Sequence, residues 1–332
     1  MLISFRETSL KEIKMSIKII YSNKHTTHNP PYEIYDGVKE SYAEKVERLA
    51  VIVKSLKETQ AYTFISPKRF SIRYIEDLHS KIYIDFLRKR SLSLNGKVVL
   101  YPSFFIRDTY APITRGTFEA ARCAVDVALT GAEMIQNGES IIYCLCRPPG
   151  HHAECNAMGG YCYFNNAAIA ADYLSRKGRV AILDIDFHHG NGTQNLFYER
   201  DDILYVSLHA DPKVKFPYTS GFADEKGKEK GLGFNKNYPL PSGIDDSAYL
   251  KVLKRALRDV VQFNPKYLVV SLGFDTYEKD PIGGFKLTVG GYNTIAQKIS
   301  LLHLPVLLIQ EGGYYVNDLG KIALSFLKGY QR

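Results

Sequence analysis

Six short apolar runs rich in branched residues, separated by longer segments with helical periodicity, constrain the fold of this chain more than any other feature. The runs cover residues 17–21, 141–146, 180–185, 203–208, 267–272 and 305–310. Continuous apolar runs of this length are typical of parallel strands that are buried on both faces. The segments with apolar residues at three- and four-residue spacings are 43–56, 117–135, 167–175, 246–261 and 290–302. The alternation predicts an α/β fold in which a mostly parallel sheet carries helices on both faces.

The chain is expected to form one domain. With 332 residues, of which 45% are hydrophobic, it has ample material for a large core. Neither a repeat nor a linker rich in Pro and Ser divides it. Because Met15 lies two residues before the first apolar run, residues 1–14 are interpreted as an N-terminal extension and residues 15–332 as the folded domain.

Composition excludes several classes of partner. The 43 basic and 35 acidic residues are scattered and form no basic block interleaved with aromatic residues, so no nucleic-acid partner is expected. No stretch approaches the ~20 apolar residues of a membrane span, and residues 1–14 lack the apolar core of a secretory signal. Five cysteines without a regular spacing argue against a disulfide framework and favour a reducing, cytoplasmic location.

Polar, chemically reactive side chains cluster at the ends of the predicted strands. These clusters are residues 147–152, 184–192, 207–209, 273–275 and 311–314. In open α/β sheets, ligands bind outside the carboxyl ends of the strands. We therefore expect five loops at this edge of the sheet to line a single pocket.

Asp186, His188 and Asp275 form a candidate metal site. Because side chains alternate along an extended chain, Asp186 and His188 project to the same side, and Asp275 follows another predicted strand. Two carboxylates and one imidazole leave a coordination position open for water and substrate, as in catalytic metal sites. Such ligands suit Zn²⁺, and Fe²⁺, Co²⁺ and Mn²⁺ remain alternatives. The competing interpretation is an ordinary strand end with a solvated histidine and an aspartate that caps a turn.

A second group of polar residues has the chemistry of proton transfer. The adjacent His151 and His152 follow a stiff Pro-Pro-Gly turn, and neighbouring imidazoles suit proton transfer better than shared binding of one ion. Asp184 and Asn191 are natural partners to orient the two rings. Tyr314 follows two glycines and offers a phenol that can donate to an oxyanion. Taken singly, each of these residues also fits an ordinary polar loop.

Several of these segments together resemble the zinc-dependent histone deacetylase superfamily, and they occur in that family's order. The matching segments are residues 147–152, 159–166, 184–192, 205–209 and 311–314. Asn191 and Glu311 resemble its class II branch, and residues 195–200 and 275–288 are similar to the bacterial acetylpolyamine amidohydrolases. The resemblance implies a single-domain arginase/deacetylase fold with its active site at the carboxyl ends of the strands. It also implies a hydrolase that removes acetyl groups from N-acetylated amines, above all acetylpolyamines, and releases acetate.

The resemblance implies a chemical role for each matching residue. The zinc ligands, for one Zn²⁺ per chain, would be Asp186, His188 and Asp275. His152 would act as general base and then as general acid, with His151 beside it as an electrostatic partner. Tyr314 would polarise the amide carbonyl.

The resemblance implies further sites around this centre. A structural monovalent cation, K⁺, would be surrounded by Asp184, the backbone of Asp186 and His188, Ser207 and Leu208. The walls of a narrow tunnel for an aliphatic chain would be formed by Gly160, Tyr161 and Phe216. Glu33 corresponds roughly to the position at which polyamine enzymes present a carboxylate for the substrate amine. Without the resemblance it would be interpreted as a solvated acidic residue of a loop.

Two departures from the family pattern bear on the substrate and on assembly. The segment between about residues 87 and 117 is shorter than the insertion that shapes the dimer and the entrance of acetylpolyamine amidohydrolases, so a homodimer is left open. Ile282 stands where some eukaryotic polyamine deacetylases place an acidic residue. The alternative activities are deacetylation of acetyl-lysine in proteins, binding of acetylated ligands without catalysis, and arginase-like hydrolysis with two Mn²⁺ ions.

Overall fold

A computed structural model describes residues 17–96 and 98–331. At its centre lies a sheet of eight strands in which every neighbouring pair is parallel. The strands are β1 (Lys18–Ile20), β4 (Thr63–Ile65), β5 (Ile141–Cys144), β6 (Val180–Asp184), β7 (Ile203–Ala210), β8 (Asn235–Leu240), β9 (Tyr267–Leu272) and β10 (Val306–Gln310). Their order across the sheet is β4-β1-β5-β10-β9-β6-β7-β8. A separate antiparallel hairpin consists of β2 (Glu33–Tyr35) and β3 (Val38–Glu40). The predicted extension, residues 1–14, lies outside the described residues.

The sheet is flanked by helices. These are α1 (Glu47–Glu58), α2 (Arg73–Glu76), α3 (Lys81–Ser93), α4 (Thr117–Gln136), α5 (Asn166–Ser175), α6 (Asn191–Phe197), α7 (Asp246–Phe263), α8 (Val289–Ser300) and α9 (Val316–Tyr330). In the part of the chain that the structure describes, none of them combines the length and the apolar character needed to cross a membrane.

The sheet divides the apolar side chains between two cores, because successive side chains of a strand face opposite sides. In β6, Ala181 and Leu183 face the core that includes α1, α7, α8 and α9. Val180 and Ile182 face the opposite core, which includes α4 and α5. The predicted fold class, one mostly parallel sheet with helices on both faces, is confirmed.

Side-chain caps fix where two of the outer helices begin. Asp245 accepts a hydrogen bond from the backbone N–H of Ala248 at 2.9 Å and caps α7. Thr288 caps α8 in the same way through the N–H of Gly291, at 3.0 Å. Each cap satisfies one of the backbone donors that a helix start leaves unpaired.

Some boundaries differ from the predicted ones, and some elements were not predicted. The unpredicted elements are β2, β3, β4, β8, α2, α3, α6 and α9. β8 is an edge strand rich in polar residues, so it lacks the apolar run by which buried strands are recognised. β6 ends at Asp184, so residues 185–188 form a loop, and β7 continues to Ala210, which places His209 inside the strand.

The middle of the sheet positions the polar loops. Strands β5, β10, β9 and β6 are consecutive neighbours, and all four run in the same direction. Their carboxyl ends therefore lie together at one edge. The loops that leave this edge begin after residues 144, 184, 272 and 310, and they carry most of the predicted site residues.

Candidate active site

Asp186, His188 and Asp275 come together at the ends of β6 and β9. All three are buried, and one ligand atom from each lies within 4.8 Å of the others. His188 Nδ1 lies 3.0 Å from Asp275 Oδ2 and 3.5 Å from Asp186 Oδ1. The structure thus places the three residues predicted as metal ligands in a single cluster.

Backbone N–H groups hold the two carboxylates in place. Asp275 Oδ1 accepts from the N–H of Phe187 at 2.9 Å. Asp186 Oδ1 accepts from the N–H of His188 at 2.9 Å, and its Oδ2 accepts from Gly312 at 2.8 Å. A Cβ on Gly312 would lie 2.6 Å from Asp186 Oδ2 and 2.5 Å from Asp275 Oδ2. Residue 312 must therefore be glycine for its loop to lie this close to the two carboxylates. These backbone contacts therefore fix the orientation of both carboxylates.

The electrostatics of the cluster fit a cation. Burial, with the nearby Asp186 carboxylate, raises the pKa of Asp275 to about 7. Burial disfavours the charged form of His188, but hydrogen bonds and charges from both aspartates outweigh it and raise its pKa to about 9. Two buried carboxylates this close are costly unless a proton or a cation lies between them. Two oxygen ligands and one nitrogen are a donor set that suits a divalent metal.

His151 is held by a buried carboxylate. Its Nδ1 lies 3.1 Å from Asp184 Oδ2, and the same oxygen accepts from the Tyr205 hydroxyl at 2.9 Å. Burial disfavours a charged His151, but the carboxylates of Asp186 and Asp184 outweigh burial and raise its pKa to about 10. The environment therefore favours the imidazolium form of His151.

The environment of His152, in contrast, favours the neutral imidazole. Its Nδ1 is 2.7 Å from Asn191 Oδ1, and its ring centroid is 4.0 Å from that of His151. Burial and the charge of His151 lower the pKa of His152 well below the usual value. Two titratable neighbours whose pKa values are driven apart are typical of an acid–base site. A neutral His152 is suited to accept a proton.

Tyr314 packs between Tyr161 and Arg48. Its ring centroid lies 5.5 Å from that of Tyr161 and 4.8 Å from the guanidinium of Arg48. Its backbone N–H donates to Asp280 Oδ2 at 2.6 Å, which fixes the loop that presents it. Burial raises the pKa of Tyr314 well above its usual value, so the phenol stays protonated and can donate a hydrogen bond.

Aromatic side chains form the walls beside this cluster. Phe216 lies edge-on to His152 at 4.9 Å between ring centroids. Tyr110, which the sequence did not single out, lies 6.0 Å from Tyr161 and 6.1 Å from Phe216 and so joins the two predicted walls. Gly160 has φ +50°, and a Cβ there would lie 2.3 Å from His152 Cδ2, so the wall approaches the imidazole closely.

Glu33 lies beside the aromatic wall and is not a solvated loop acid. It is 5% exposed. Its Oε1 accepts from the Tyr161 hydroxyl at 3.2 Å, and its Oε2 accepts from the Ala43 N–H at 3.4 Å. Burial raises its pKa to about 7, against the opposing effect of these hydrogen bonds. A partly protonated carboxyl group therefore lies next to a predicted substrate wall.

The residues predicted to surround a monovalent cation lie on adjacent strands. Asp184 of β6 is the register partner of Ser207 of β7, and both are fully buried, as is Leu208. Asp184 Oδ1 accepts from the N–H of Asp186 at 3.2 Å. Ser207 Oγ lies 2.7 Å from His209 Nδ1. The cation itself stays a prediction.

Buried ion pairs behind Tyr314 were missed by the sequence analysis. Arg48 donates to the backbone carbonyls of Gly313 and Glu311 and pairs with Glu44. Glu44 also accepts from Arg147 Nε at 2.8 Å. These contacts join α1 to two active-site loops. Arg147 and Glu311 belong to the polar clusters predicted at the strand ends. Nothing in the sequence distinguishes Arg48 or Glu44 from charged residues of the surface.

The fold and this site define a class of protein. A parallel α/β sheet carries, at the carboxyl ends of its central strands, a buried candidate metal centre with a histidine pair and a phenol. Residues that could hold a metal ion, next to acid–base groups, are typical of metal-dependent hydrolases.

Comparison with known proteins identifies the family. The family described as "Histone deacetylase domain" matches residues 42–330, so the chain belongs to the histone deacetylase family, as predicted. It is 40% identical over 342 residues to acetylpolyamine amidohydrolase 1 of Pseudomonas aeruginosa, covering 94% of this chain and 98% of that protein. It is 37% identical over 339 residues to the acetylpolyamine amidohydrolase of Mycoplana ramosa, covering 94% and 99%. The crystal structure of an acetylpolyamine aminohydrolase from Burkholderia pseudomallei superposes with a TM-score of 0.90 at 35% identity, covering 95% and 98%.

Proposed function

We propose that this protein is a zinc-dependent amidohydrolase that removes the acetyl group from N-acetylated polyamines. Water and the acetylated amine would be converted into acetate and a free amine. The observation that carries the proposal is the buried cluster of Asp186, His188 and Asp275. The ring of His152 lies 6.1 Å from that of His188, and Tyr314 is close enough to the two aspartates that, besides burial, their charges raise its pKa. Relatives named acetylpolyamine amidohydrolases that align over nearly the whole chain support the substrate class.

The proposed metal ligands are Asp186 Oδ, His188 Nδ1 and Asp275 Oδ. Zn²⁺ held by these atoms would supply Lewis-acid polarisation of the amide carbonyl and make a water molecule more acidic. A K⁺ ion near Asp184 and Ser207 is proposed as a purely structural partner of the site. The pairing of Asp184 with Ser207 across β6 and β7 supports it.

The histidine pair and Tyr314 account for the proton steps. Neutral His152 takes a proton from the attacking water at Nε2 and then returns it to the departing amine nitrogen. His151, held by Asp184, keeps a positive charge beside the developing negative charge. Tyr314 donates its phenolic hydrogen bond to the carbonyl oxygen as that oxygen becomes negative.

The substrate preference is proposed from the groups beside the site. Tyr161 and Phe216 suit a narrow aliphatic chain, and Glu33 beside Tyr161 suits a distal ammonium group. Ile282, which packs against the cluster of Tyr161 and Tyr314, adds apolar surface without a charge. A carboxyl group beside an aromatic wall favours a slender cationic substrate over a bulky peptide.

The free thiols bear on the proposed location. Cys155 is exposed, and the other four cysteines are buried; all five are unpaired. Free thiols persist where the surroundings are reducing. We therefore propose a cytoplasmic enzyme. The homodimer stays a prediction.

A substrate panel tests the proposed function. We expect zinc-loaded protein to release acetate from acetylputrescine, acetylcadaverine and acetylspermidine with a kcat/KM at least about tenfold above that for an acetyl-lysine peptide. Acetate release is measured for each compound under the same conditions. Preference for the peptide would support protein deacetylation, and binding of acetylated ligands without release of acetate would support a binding module.

The role of Glu33 is tested by Glu33→Gln. We expect kcat/KM for acetylputrescine to fall about tenfold, since a charge-assisted contact with the ammonium group is lost. Because burial raises the pKa of Glu33 to about 7, its carboxylate forms as the pH rises through this value. The wild-type preference for acetylputrescine over a neutral N-alkylacetamide should therefore increase as the pH rises from about 6 to about 8, the range around the pKa of Glu33.

Glu40→Gln is the matched control for this prediction. Glu40 faces Glu33 across the β2–β3 hairpin but is exposed. It should leave the preference for acetylputrescine at about pH 8 unchanged. Because burial and also the charge of Glu40 raise the pKa of Glu33, the increase of that preference with pH should begin at a lower pH in Glu40→Gln. An equal loss of activity on the cationic and the neutral substrate in Glu33→Gln would remove Glu33 from amine recognition.

A further inference from the structure

A glutamate two residues beyond the histidine pair contacts the partner of the proposed base. Asn191 Nδ2 donates to Glu154 Oε1 at 3.0 Å, while Asn191 Oδ1 lies 2.7 Å from His152 Nδ1. Glu154 also accepts from Arg107 through Oε2. A continuous series of contacts therefore runs from Arg107 through Glu154 and Asn191 to His152.

We propose that Glu154 is a positioning residue that selects the tautomer of His152 through the orientation of the Asn191 amide. A carboxylate can only accept hydrogen bonds, so it requires the Asn191 NH₂ group on its own side. The Asn191 carbonyl then faces His152, which must present an N–H at Nδ1. Neutral His152 consequently keeps the lone pair of Nε2 free to take a proton.

The surroundings of Glu154 support this role. Glu154 is 8% exposed, and it lies in the wall of a polar cleft of about 750 Å³ that also includes Arg107, Asn191 and Asn195. Asn195 Nδ2 approaches Glu154 Oε2 at 3.5 Å. Arg107 and Asn195 are donors on the Oε2 side of the carboxylate, so Oε1 remains for Asn191.

Glu154→Gln converts the carboxylate into an amide of nearly the same shape. Arg107 can only donate, so it should retain the oxygen of the introduced amide and turn the new NH₂ group towards Asn191. Asn191 then has to rotate its oxygen away from His152 and present NH₂ to Nδ1. The carbonyl of His152, which is 3.4 Å from Asn191 Nδ2, opposes this rotation through a single long contact. The proton of His152 is then expected at Nε2, where the base must be free.

The proposal rests on the proposed function, and its kinetic consequence is a loss of kcat without a change in KM. An incorrect histidine tautomer lowers kcat by about 10⁴ in a serine protease triad. Because the rotation here is an equilibrium, we expect a loss of about 10- to 100-fold in Glu154→Gln. Glu199→Gln, in the same cleft, is the matched control and should retain the wild-type kcat.

A double substitution distinguishes positioning from a general structural role. Asn191→Asp alone places the introduced carboxylate next to that of Glu154 and should lower kcat. In Glu154→Gln/Asn191→Asp, the introduced amide can donate to the introduced carboxylate, and that carboxylate can also accept from Nδ1 of His152. The double variant should recover at least about tenfold in kcat over Glu154→Gln, which is non-additive behaviour between coupled residues. Absence of recovery overturns the proposal.

The tautomer of His152 is measured independently of turnover. Long-range nitrogen–proton correlation spectra of zinc-loaded protein with ¹⁵N-labelled histidine report which ring nitrogen carries the proton, and His152→Ala assigns the signal. We expect the proton at Nδ1 in wild type and at Nε2 in Glu154→Gln. The same tautomer in both proteins overturns the proposal. If wild type hydrolysed no acetylated amine, the proposed function would fail, but this spectrum would still decide the role of Glu154.

Discussion

Tyr314→Phe is expected to lower kcat for acetylputrescine by roughly 10²- to 10³-fold, because it removes one hydrogen-bond donor to the developing oxyanion. Burial keeps the phenol protonated well above neutral pH, so the donor is present throughout the range in which the enzyme would work. The ring itself is retained by phenylalanine, together with its packing against Tyr161 and Arg48. Steady-state kinetics should therefore show a loss in kcat and little change in KM.

Tyr315→Phe provides the matched control for Tyr314→Phe. Tyr315 follows directly in the same loop, and its ring packs against Tyr277, 6.1 Å between centroids. We expect wild-type kinetics and an unchanged metal content in this variant. Near-normal kcat in Tyr314→Phe would remove the phenol from the mechanism, and loss of metal would indicate a disturbed loop instead.

The central part of the fold and the proximity of Asp186, His188 and Asp275 could be predicted because their signals are local. Runs such as 180–185 and 267–272 are apolar on both faces, which in a strand requires burial on both sides. In both cases the polar cluster begins at or just beyond the last residue of the strand. Parallel neighbours bring these ends to one edge, so the proximity of Asp186 and Asp275 follows from strand direction alone.

The supporting residues could not be predicted because their partners are distant in sequence. Arg48 bonds to carbonyls more than 260 positions away, and in a helix its residue type is indistinguishable from a solvated charge. Glu154 contacts Asn191 across 37 positions, and Arg107 across 47. No spacing rule connects such residues, since the contact exists only after the whole sheet has formed.

The edge strand β8 was not predicted for a different reason. β8 contains Asn235, Lys236, Asn237 and Pro239, so its composition resembles that of a loop. As an edge strand it needs only one neighbour, and the ladder with β7 supplies its backbone hydrogen bonds. The strand is therefore determined by its neighbour more than by its own side chains.

Asp275→Asn is expected to abolish stable zinc binding and to lower kcat by at least about 10²-fold, because metal ligation needs the full set of three protein ligands. Wild-type protein should carry one Zn²⁺ per chain, and the variant close to none. Elemental analysis after dialysis against trace zinc measures the stoichiometry, and acetate release measures the activity. Two ions per chain in wild type would instead support a binuclear, arginase-like centre.

Thermal unfolding gives a readout of the same site that does not require turnover. Ligands that bind only the native state stabilise it, so a chelator should lower the Tm of wild type and leave that of Asp275→Asn unchanged. Metal-free Asp275→Asn should unfold at no lower temperature than metal-free wild type above about pH 7. Burial and the Asp186 carboxylate raise the pKa of Asp275 in spite of its contact with His188, so ionised Asp275 destabilises the metal-free native state, and asparagine removes that cost. Asp224→Asn, at an exposed position, should behave as wild type in every measurement. A chelator-sensitive Tm in Asp275→Asn would mean that the ion is held elsewhere, and the proposed ligand set would then be wrong.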